Sequence, residues 1–384
     1  MKKVLVPRVR FKGFSEEWSE EVLGKIIKSA YIGISSKILI TGKYEVIQQG
    51  IISIAGYTNE QPFENYEKIV LFGDHSLSVY KPKKPFLLAS DGIKAYFIEN
   101  TYGDYFYYLL GNNLPENEGY KRYSLILKEK NIGITYNKSE QQKIGKLLDQ
   151  ISNLINLENS KLNKLKQLKE TLLQKMFPDG NSKTPRIRFK EFEGEWKEEK
   201  LENIYSFASE GGTPDTNKDI YYKPGLFCFT KIEDMANKYI YHTKSKISEL
   251  GLKNSSAWII PKNNILFSNG ATIGNVSINK VVLSTKQGIV GMIIKKKFNL
   301  EFIYYLLKSE TFQSKVAEKI TVGTIPTVAI FNLKKIELFL TTNSIEQQKI
   351  GDFFSKIDSF ITLYNSKLNK LKQIKEALLQ KMFV

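Results

Sequence analysis

The sequence is poor in the residues that build metal sites, disulfides and nucleophile–histidine pairs. It holds one cysteine and two histidines in 384 residues. A disulfide framework needs paired cysteines, and a structural zinc site needs four Cys or His ligands. Both are excluded for this chain alone. The lone Cys228 fits a reducing compartment. No apolar run approaches the ~20 residues that span a bilayer as a helix. After Lys2 and Lys3, only Val4, Leu5 and Val6 precede Pro7. A secretory signal needs an apolar core of roughly 7–15 residues. The expected location is the cytoplasm.

Signatures of catalysis are also missing. Eleven prolines are present and no two are adjacent. That excludes the Asn/Asp-Pro-Pro-aromatic loop with which a DNA amino-methyltransferase holds its target base. Lys138-Ser139 lacks the glycine that a P-loop places before its lysine. Asp74-His75-Ser76 contains the letters of a triad, but neighbours in sequence rarely meet as triad members, and a turn is the simpler reading. Pro214-Asp215, with Lys218 and Asp219, faintly suggests a nuclease carboxylate cluster but lies in a Gly-Gly-Thr-Pro turn. No metal site is expected, and the chain is expected to be non-catalytic by itself.

What the sequence has is apolar content, positive charge and a repeat. At 42% apolar and 12% aromatic residues it can bury real cores. Fifty-seven basic against forty acidic residues give a net charge of +17. That balance points to a polyanionic partner, most simply nucleic acid. The bland alternative is a lysine-rich soluble surface. Residues 201–344 carry 18 basic and 11 acidic side chains, and residues 21–138 carry 14 and 12. The second region should therefore contribute more to phosphate binding. Four of the five arginines, Arg8, Arg10, Arg186 and Arg188, sit in matched segments of the repeat. Their shared register favours a structural or subunit-contact role over reading bases. Arg122 alone lies elsewhere and is a candidate for the bidentate arginine–guanine contact.

Residues 140–177 and 346–383 are identical at 26 of 38 positions. Pro7-Arg8-Val9-Arg10-Phe11-Lys12, with Trp18 following, matches Pro185-Arg186-Ile187-Arg188-Phe189-Lys190, with Trp196 following. A weaker pair is YFYYLL at 105–110 and FIYYLL at 302–307. The offsets grow along the chain, so the ends of the repeat are alike and the middles differ. The matched 38-residue segments read as long helices. Ile144, Leu148, Ile151, Ile155, Leu162, Leu165, Leu172 and Met176 step by fours and threes, interrupted at Glu158 and Lys169. Ile350, Phe354, Ile357, Ile361, Leu368, Leu371, Leu378 and Met382 repeat the pattern. That period is a coiled-coil seam. Each helix would be about 57 Å long at ~1.5 Å per residue. Ser139 and Ser344 are positioned to cap them. Further apolar residues flank the seam, including Leu147, Leu154, Leu157, Leu168 and Leu173. The stripe is wider than two helices need, so a third surface is expected there.

The middles show short β-type runs at 44–54, 69–80, 95–98, 227–230, 257–268 and 276–294, separated by Gly, Asn, Asp and Pro. Short helices are expected near 105–110 and 300–307. The expected class is α+β: two similar α+β domains, each followed by a long helix, in an internal repeat. The segments are 1–138, a leading stretch and first domain; 139–177, the first helix; 178–184, a linker; 185–344, the second leading stretch and domain; and 345–384, the second helix.

This duplicated order resembles the specificity subunit of type I restriction–modification systems, over essentially the whole chain. Within the first domain Gln48-Gln49-Gly50, Phe72-Gly73-Asp74-His75 and Asp91-Gly92 resemble pieces of that family's target recognition domains. Within the second, Gly211-Gly212-Thr213-Pro214, Gly270-Ala271-Thr272-Ile273-Gly274 and Gly323-Thr324-Ile325-Pro326 do so. No one of these motifs is specific; their duplicated arrangement is. The resemblance implies that each domain reads one half of a split, non-palindromic DNA target. It implies that the two helices pack antiparallel, with a pseudo-twofold relation, and hold the domains apart. It further implies two methyltransferase subunits carrying S-adenosylmethionine, and restriction subunits using ATP and Mg, with no cofactor on this chain. Candidate DNA contacts are Gln48, Gln49, His75, Lys94 and Arg122 in the first domain. In the second they are Thr213, Lys231, Asn269, Thr272, Lys286, Gln287 and Thr324. Candidate docking residues are Leu154, Leu168, Phe360 and Ile374. The competing readings are a stand-alone architectural DNA-binding coiled-coil protein without a methylation partner, a nuclease, and a scaffold.

Overall fold

The structure, a computed structural model, describes residues 5–180, 182–321, 323 and 326–384. The chain forms two compact units. One comprises 1–161 with 364–384, the other 162–363. Each unit thus takes its own α+β domain, the first part of the helix that follows it, and a later stretch of the other long helix.

In the first unit the strands are β1 (Ser19–Val22), β2 (Ile27–Ser29), β3 (Tyr44–Ile47), β4 (Ile54–Thr58), β5 (Val70–Gly73), β6 (Val79–Tyr80), β7 (Phe86–Leu88), β8 (Ile93–Ile98) and β9 (Asn131–Ile134). They form a four-stranded sheet β2-β8-β5-β6, a three-stranded sheet β4-β3-β7 and a pair β1-β9. The helices are α1 (Leu23–Ile26), α2 (Gly103–Asn112), α3 (Tyr123–Lys128) and α4 (Lys138–Lys175), of which 138–161 belongs to this unit. The β-type stretch at 44–54 is a strand, a turn and the start of a second strand, because Gln48–Ser53 turns back and β4 pairs antiparallel with β3.

The second unit has β10 (Lys197–Lys200), β11 (Tyr205–Glu210), β12 (Phe227–Thr230), β13 (Tyr239–Ile240), β14 (Ser245–Ile247), β15 (Asn264–Ser268), β16 (Val276–Asn279), β17 (Leu283–Thr285), β18 (Ile289–Ile294) and β19 (Glu337–Leu340). Its sheets are β11-β18-β15-β16-β13, β14-β12-β17 and β10-β19. Its helices are α5 (Glu249–Lys253), α6 (Leu300–Lys308), α7 (Glu310–Ala317), α8 (Ile330–Leu333) and α9 (Ser344–Met382), the last up to residue 363. Strand by strand this is the topology of the first unit, with β13 added. In both, the central strand of the three-stranded sheet pairs antiparallel on one side and parallel on the other. The α+β class and the internal repeat therefore hold in the middles, where the sequences diverge. The stretch leading into β13 brings Lys238 to α6 and α9. Its ammonium donates to Tyr305 Oη at 2.7 Å and Ser355 Oγ at 3.0 Å and pairs with Glu301 at 2.5 Å.

The repeated motifs have matched structural jobs. Arg10 donates to Glu140 at 2.6 and 2.9 Å, and Arg188 to Glu346 at 2.7 and 2.9 Å. Gln141 Oε1 accepts from Tyr102 N at 3.1 Å and its Nε2 donates to Thr135 O at 2.7 Å; Gln347 does the same with Asn299 N and Thr341 O. Gly145 and Gly351 admit the helix that crosses them. A Cβ on Gly351 would lie 2.8 Å from Asn299 Oδ1, and one on Gly145 3.1 Å from Tyr105 N. Trp18 packs edge-on to Phe383, and Trp196 to Phe177. The caps differ from expectation. Ser139 and Ser344 do not cap; Asn137 Oδ1 accepts from Glu140 N, and Asn343 Oδ1 from Ile345 N and Glu346 N. The hydrogen-bonded asparagines stand one or two residues earlier, where a side-chain oxygen reaches the free N–H groups of the first turn.

Within each unit the two helix stretches run antiparallel. In the first, Lys367 reaches Glu158 at 3.1 Å, while Met382 and Phe383 share a core with Ile144 and Leu148. In the second, Lys169 reaches Asp358 at 2.5 Å, and Phe177 stacks on Phe354. The polar interruptions of the seam are thus paired across it. Seam residues Ile144, Leu148, Leu162, Met176, Ile350, Phe354, Ile357, Leu368 and Met382 are buried.

Candidate nucleic-acid interface

In the first unit the loops at one end of the two sheets are tied into a single rim. The turn after β3 meets the turn after β7, with Ala89 N donating to Ile47 O at 2.8 Å. The loop after β5 meets the same turn, with Asp74 N donating to Gly92 O at 3.0 Å. Gln49 Oε1 accepts from His75 N at 3.4 Å, and Gly50 N donates to Ser78 Oγ at 2.9 Å. The start of α3 and the residues before it close the rim. Asp74 O and Oδ1 accept from Tyr123 N and Ser124 N at 2.9 and 2.7 Å, and His75 Nδ1 lies 2.9 Å from Lys121 O. His75 also stacks on Tyr120, with ring centroids 4.6 Å apart and planes 5° apart.

Gln48, Gln49, His75, Lys94 and Arg122 all lie along this rim. Gln48 Nε2 donates to Ile52 O, and Lys94 Nζ to Asp91 O at 3.1 Å, so both side chains are held by the turns that carry them. Arg122 and Lys121 are exposed.

The second unit builds the same rim from an unrelated sequence. Lys286 N donates to Thr230 O at 2.9 Å, Asn269 N to Gly288 O at 3.0 Å and Val328 N to Asn269 O at 2.8 Å. These are the counterparts of the bonds from Ala89 N, Asp74 N and Tyr123 N. Gly211 N also donates to Ile289 O, and Gly288 N to Glu210 Oε1 at 2.6 Å. Thr272, Lys286 and Gln287 are exposed, and Lys231 is half-buried. Asn269 is buried with its amide donating to Val328 O, so it joins two loops, and its Oδ1 has no partner among the described residues. The hydroxyl of Thr213 is likewise buried, without a partner among the described residues. Thr324 lies outside the described residues.

Sequence reasoning nominated these loops one by one and missed that they are counterparts. Only the backbone pairing reveals it. It also missed Asp74 as the residue that locks the rim, and the exposed pair Ile51 and Ile52 at its edge.

A second surface lies on the long helices. Leu154 and Leu168 on α4 are 37% and 50% exposed; Phe360 and Ile374 on α9 are 53% and 42% exposed. Leu157 and Leu363, their neighbours three residues on from Leu154 and Phe360, are exposed too. The α4 and α9 sets occupy equivalent positions of the repeat. Leu154 and Leu157 in the first unit, and Phe360 and Leu363 in the second, stand three residues apart and so share a face of their helix stretch.

Residues 193–373 match the family model described as the type I restriction modification DNA specificity domain. The chain is 31% identical over 193 residues to the type I restriction enzyme MjaIX specificity subunit of Methanocaldococcus jannaschii. It is 29% identical over 186 residues to the EcoR124I/EcoR124II specificity subunit of Escherichia coli. These alignments cover 50% and 47% of this chain and 44% of either relative, so the chain matches less than half the length of each. The crystal structure of a type I restriction–modification S subunit from M. genitalium superposes over 99% of both chains, with a TM-score of 0.65 at 16% identity. The second half of the chain is therefore similar to the type I restriction–modification specificity domain, and the whole chain has the fold of a solved S subunit. The family model covers only the second half of the chain. The first half shares its topology and its rim. Among the described residues, no group of three or more His, Cys, Asp or Glu is placed to hold a metal ion, and no helix is long and apolar enough to cross a membrane.

Proposed function

We propose that this chain is the DNA-addressing subunit of a type I restriction–modification complex and carries no chemistry of its own. Each rim reads one half of a bipartite, non-palindromic site. The observation that carries this reading is the repeated set of three rim hydrogen bonds around Asp74 and Asn269. One backbone frame is kept while the exposed side chains on it differ. That is what two readers of different sequences require. The +17 net charge supplies non-specific attraction to phosphates.

The equivalent apolar faces of α4 and α9 favour two copies of one partner, the methyltransferase subunit, which would bring S-adenosylmethionine to the adenine. Restriction subunits using ATP and Mg join the same complex, and the assembly works in the cytoplasm. The test is a domain exchange. Residues 201–344 are replaced by the equivalent segment of a related specificity subunit, and methylated sites are mapped in cells that co-express the methyltransferase subunit. One half of the motif should change while the other half and the gap stay. A change in both halves, or in neither, contradicts independent reading by the two units.

A further inference from the structure

The turn between β3 and β4 holds two isoleucines out in water, Ile51 at 104% and Ile52 at 72% exposure. The turn is tied down. Gln48 N donates to Ser53 O at 2.8 Å, Gln48 Nε2 to Ile52 O at 3.0 Å and Gly50 N to Ser78 Oγ at 2.9 Å. Gly50 sits at φ +106°, a conformation that a side chain would strain. Two branched apolar side chains on a fixed turn forgo burial that the fold could have given them.

Their neighbours indicate what covers them. Gln49, the residue before Gly50, reaches the loops at His75 and Gly92. Lys94 follows Gly92 by two residues, and the exposed Lys121 and Arg122 lie across His75. An apolar tip whose turn is hydrogen-bonded to the loops carrying these cations suits a polyanion that also offers an apolar spot. On the base edges of the major groove that spot is the 5-methyl group of thymine.

We infer that Ile51 and Ile52 recognise thymine in the first half-site by packing on its 5-methyl group. The inference rests on the DNA-reading role proposed above. It applies to one unit only, because the counterpart segment, 231–244, folds into a 3-10 turn (Ile232–Ala236) and β13. The second half-site is therefore an internal reference.

The test uses the complex assembled with its methyltransferase subunit and a duplex carrying the mapped site. Each thymine of both half-sites is replaced in turn by uracil, which removes only the methyl group. The unchanged complex should lose about fourfold in affinity at one thymine of the first half-site, the scale of one buried methyl group. A complex carrying I51A and I52A should bind the parent duplex more weakly and show no further loss with that uracil. Its response to uracils in the second half-site should match that of the unchanged complex. The inference is overturned if the first half-site holds no thymine, if no uracil there weakens binding, or if the uracil penalty persists in the variant. Failure of the unchanged complex to prefer its site over unrelated DNA would instead overturn the DNA-reading role.

Discussion

Arg10 grips the carboxylate of Glu140 with two hydrogen bonds, at 2.6 and 2.9 Å, across 130 residues of sequence. Glu140 is fully buried and also accepts from Thr135 Oγ1 at 2.9 Å. The hydrogen bonds that Arg10 donates to Glu140 hold its guanidinium above its ordinary range. The pair fastens the leading segment to the first turn of α4. Truncating one partner would leave a buried charge uncompensated, which costs about 3–5 kcal/mol. R10A should therefore lower the stability of the first unit by that order in urea unfolding. R10K should recover part of it, since one ammonium cannot reproduce the two-pronged contact. An R10A chain as stable as the parent would show that the pair is incidental.

The apolar faces of the long helices give a different expectation. Leu154 and Leu168 are exposed on α4, so L154Q and L168Q should change stability by no more than about 0.5 kcal/mol, as surface changes do. Capture of the methyltransferase subunit should nevertheless weaken, and F360Q with I374Q on α9 should behave alike. Undiminished pull-down by all four variants would rule out these faces as docking surfaces.

Glu158 supplies a pH dependence. Hydrogen bonding from Lys367, with Lys161 close by, holds its carboxyl below the usual carboxylate range. A depressed folded-state value means that its contribution is complete above the unfolded value, about 4.3, and disappears as pH falls through the folded value. Chemical denaturation between pH 7 and pH 3 should show that loss in the parent and a flatter profile in E158Q. Parallel profiles would assign the acid sensitivity to other carboxylates.

On the rims, Arg122 and Lys286 should part company. R122A should cost about 1–3 kcal/mol in specific binding and relax one position of the first half-site, as loss of a base contact does. K286A should weaken binding to all sequences alike and lower the salt dependence by about one phosphate contact. Binding isotherms over a salt series, on the mapped site and on single-base variants, separate the two. Uniform weakening by R122A would make it a phosphate contact.

Much of this architecture was legible because selection for packing left the same letters twice. The Pro-Arg-x-Arg-Phe and Glu-Gln-Gln-Lys-Ile-Gly motifs recur because Arg10 and Arg188 need Glu140 and Glu346. Gln141 and Gln347 satisfy backbone groups of the domain, and Gly145 and Gly351 admit a crossing helix. The seam was readable from its period. The split of each helix between two units was not, because the register of antiparallel neighbours is a tertiary property that no local pattern carries. The likeness of the two middles was hidden for a related reason. The bonds from Asp74 N and Asn269 N are backbone bonds, indifferent to whether an acid or an amide stands there. The residues proposed to face DNA leave the weakest trace. Polar residues beside glycine describe Asn269, which is buried and joins loops, as well as Lys286 and Gln287, which are exposed.

The central claim is that one chain reads two half-sites through two matched rims. Its most direct test is to co-express the chain with its methyltransferase subunit and map N6-methyladenine at single-molecule resolution. One motif is predicted, with two defined halves, a gap of fixed length and no palindromic symmetry. A palindromic or continuous motif, or no motif from a complex shown to be assembled, would contradict it.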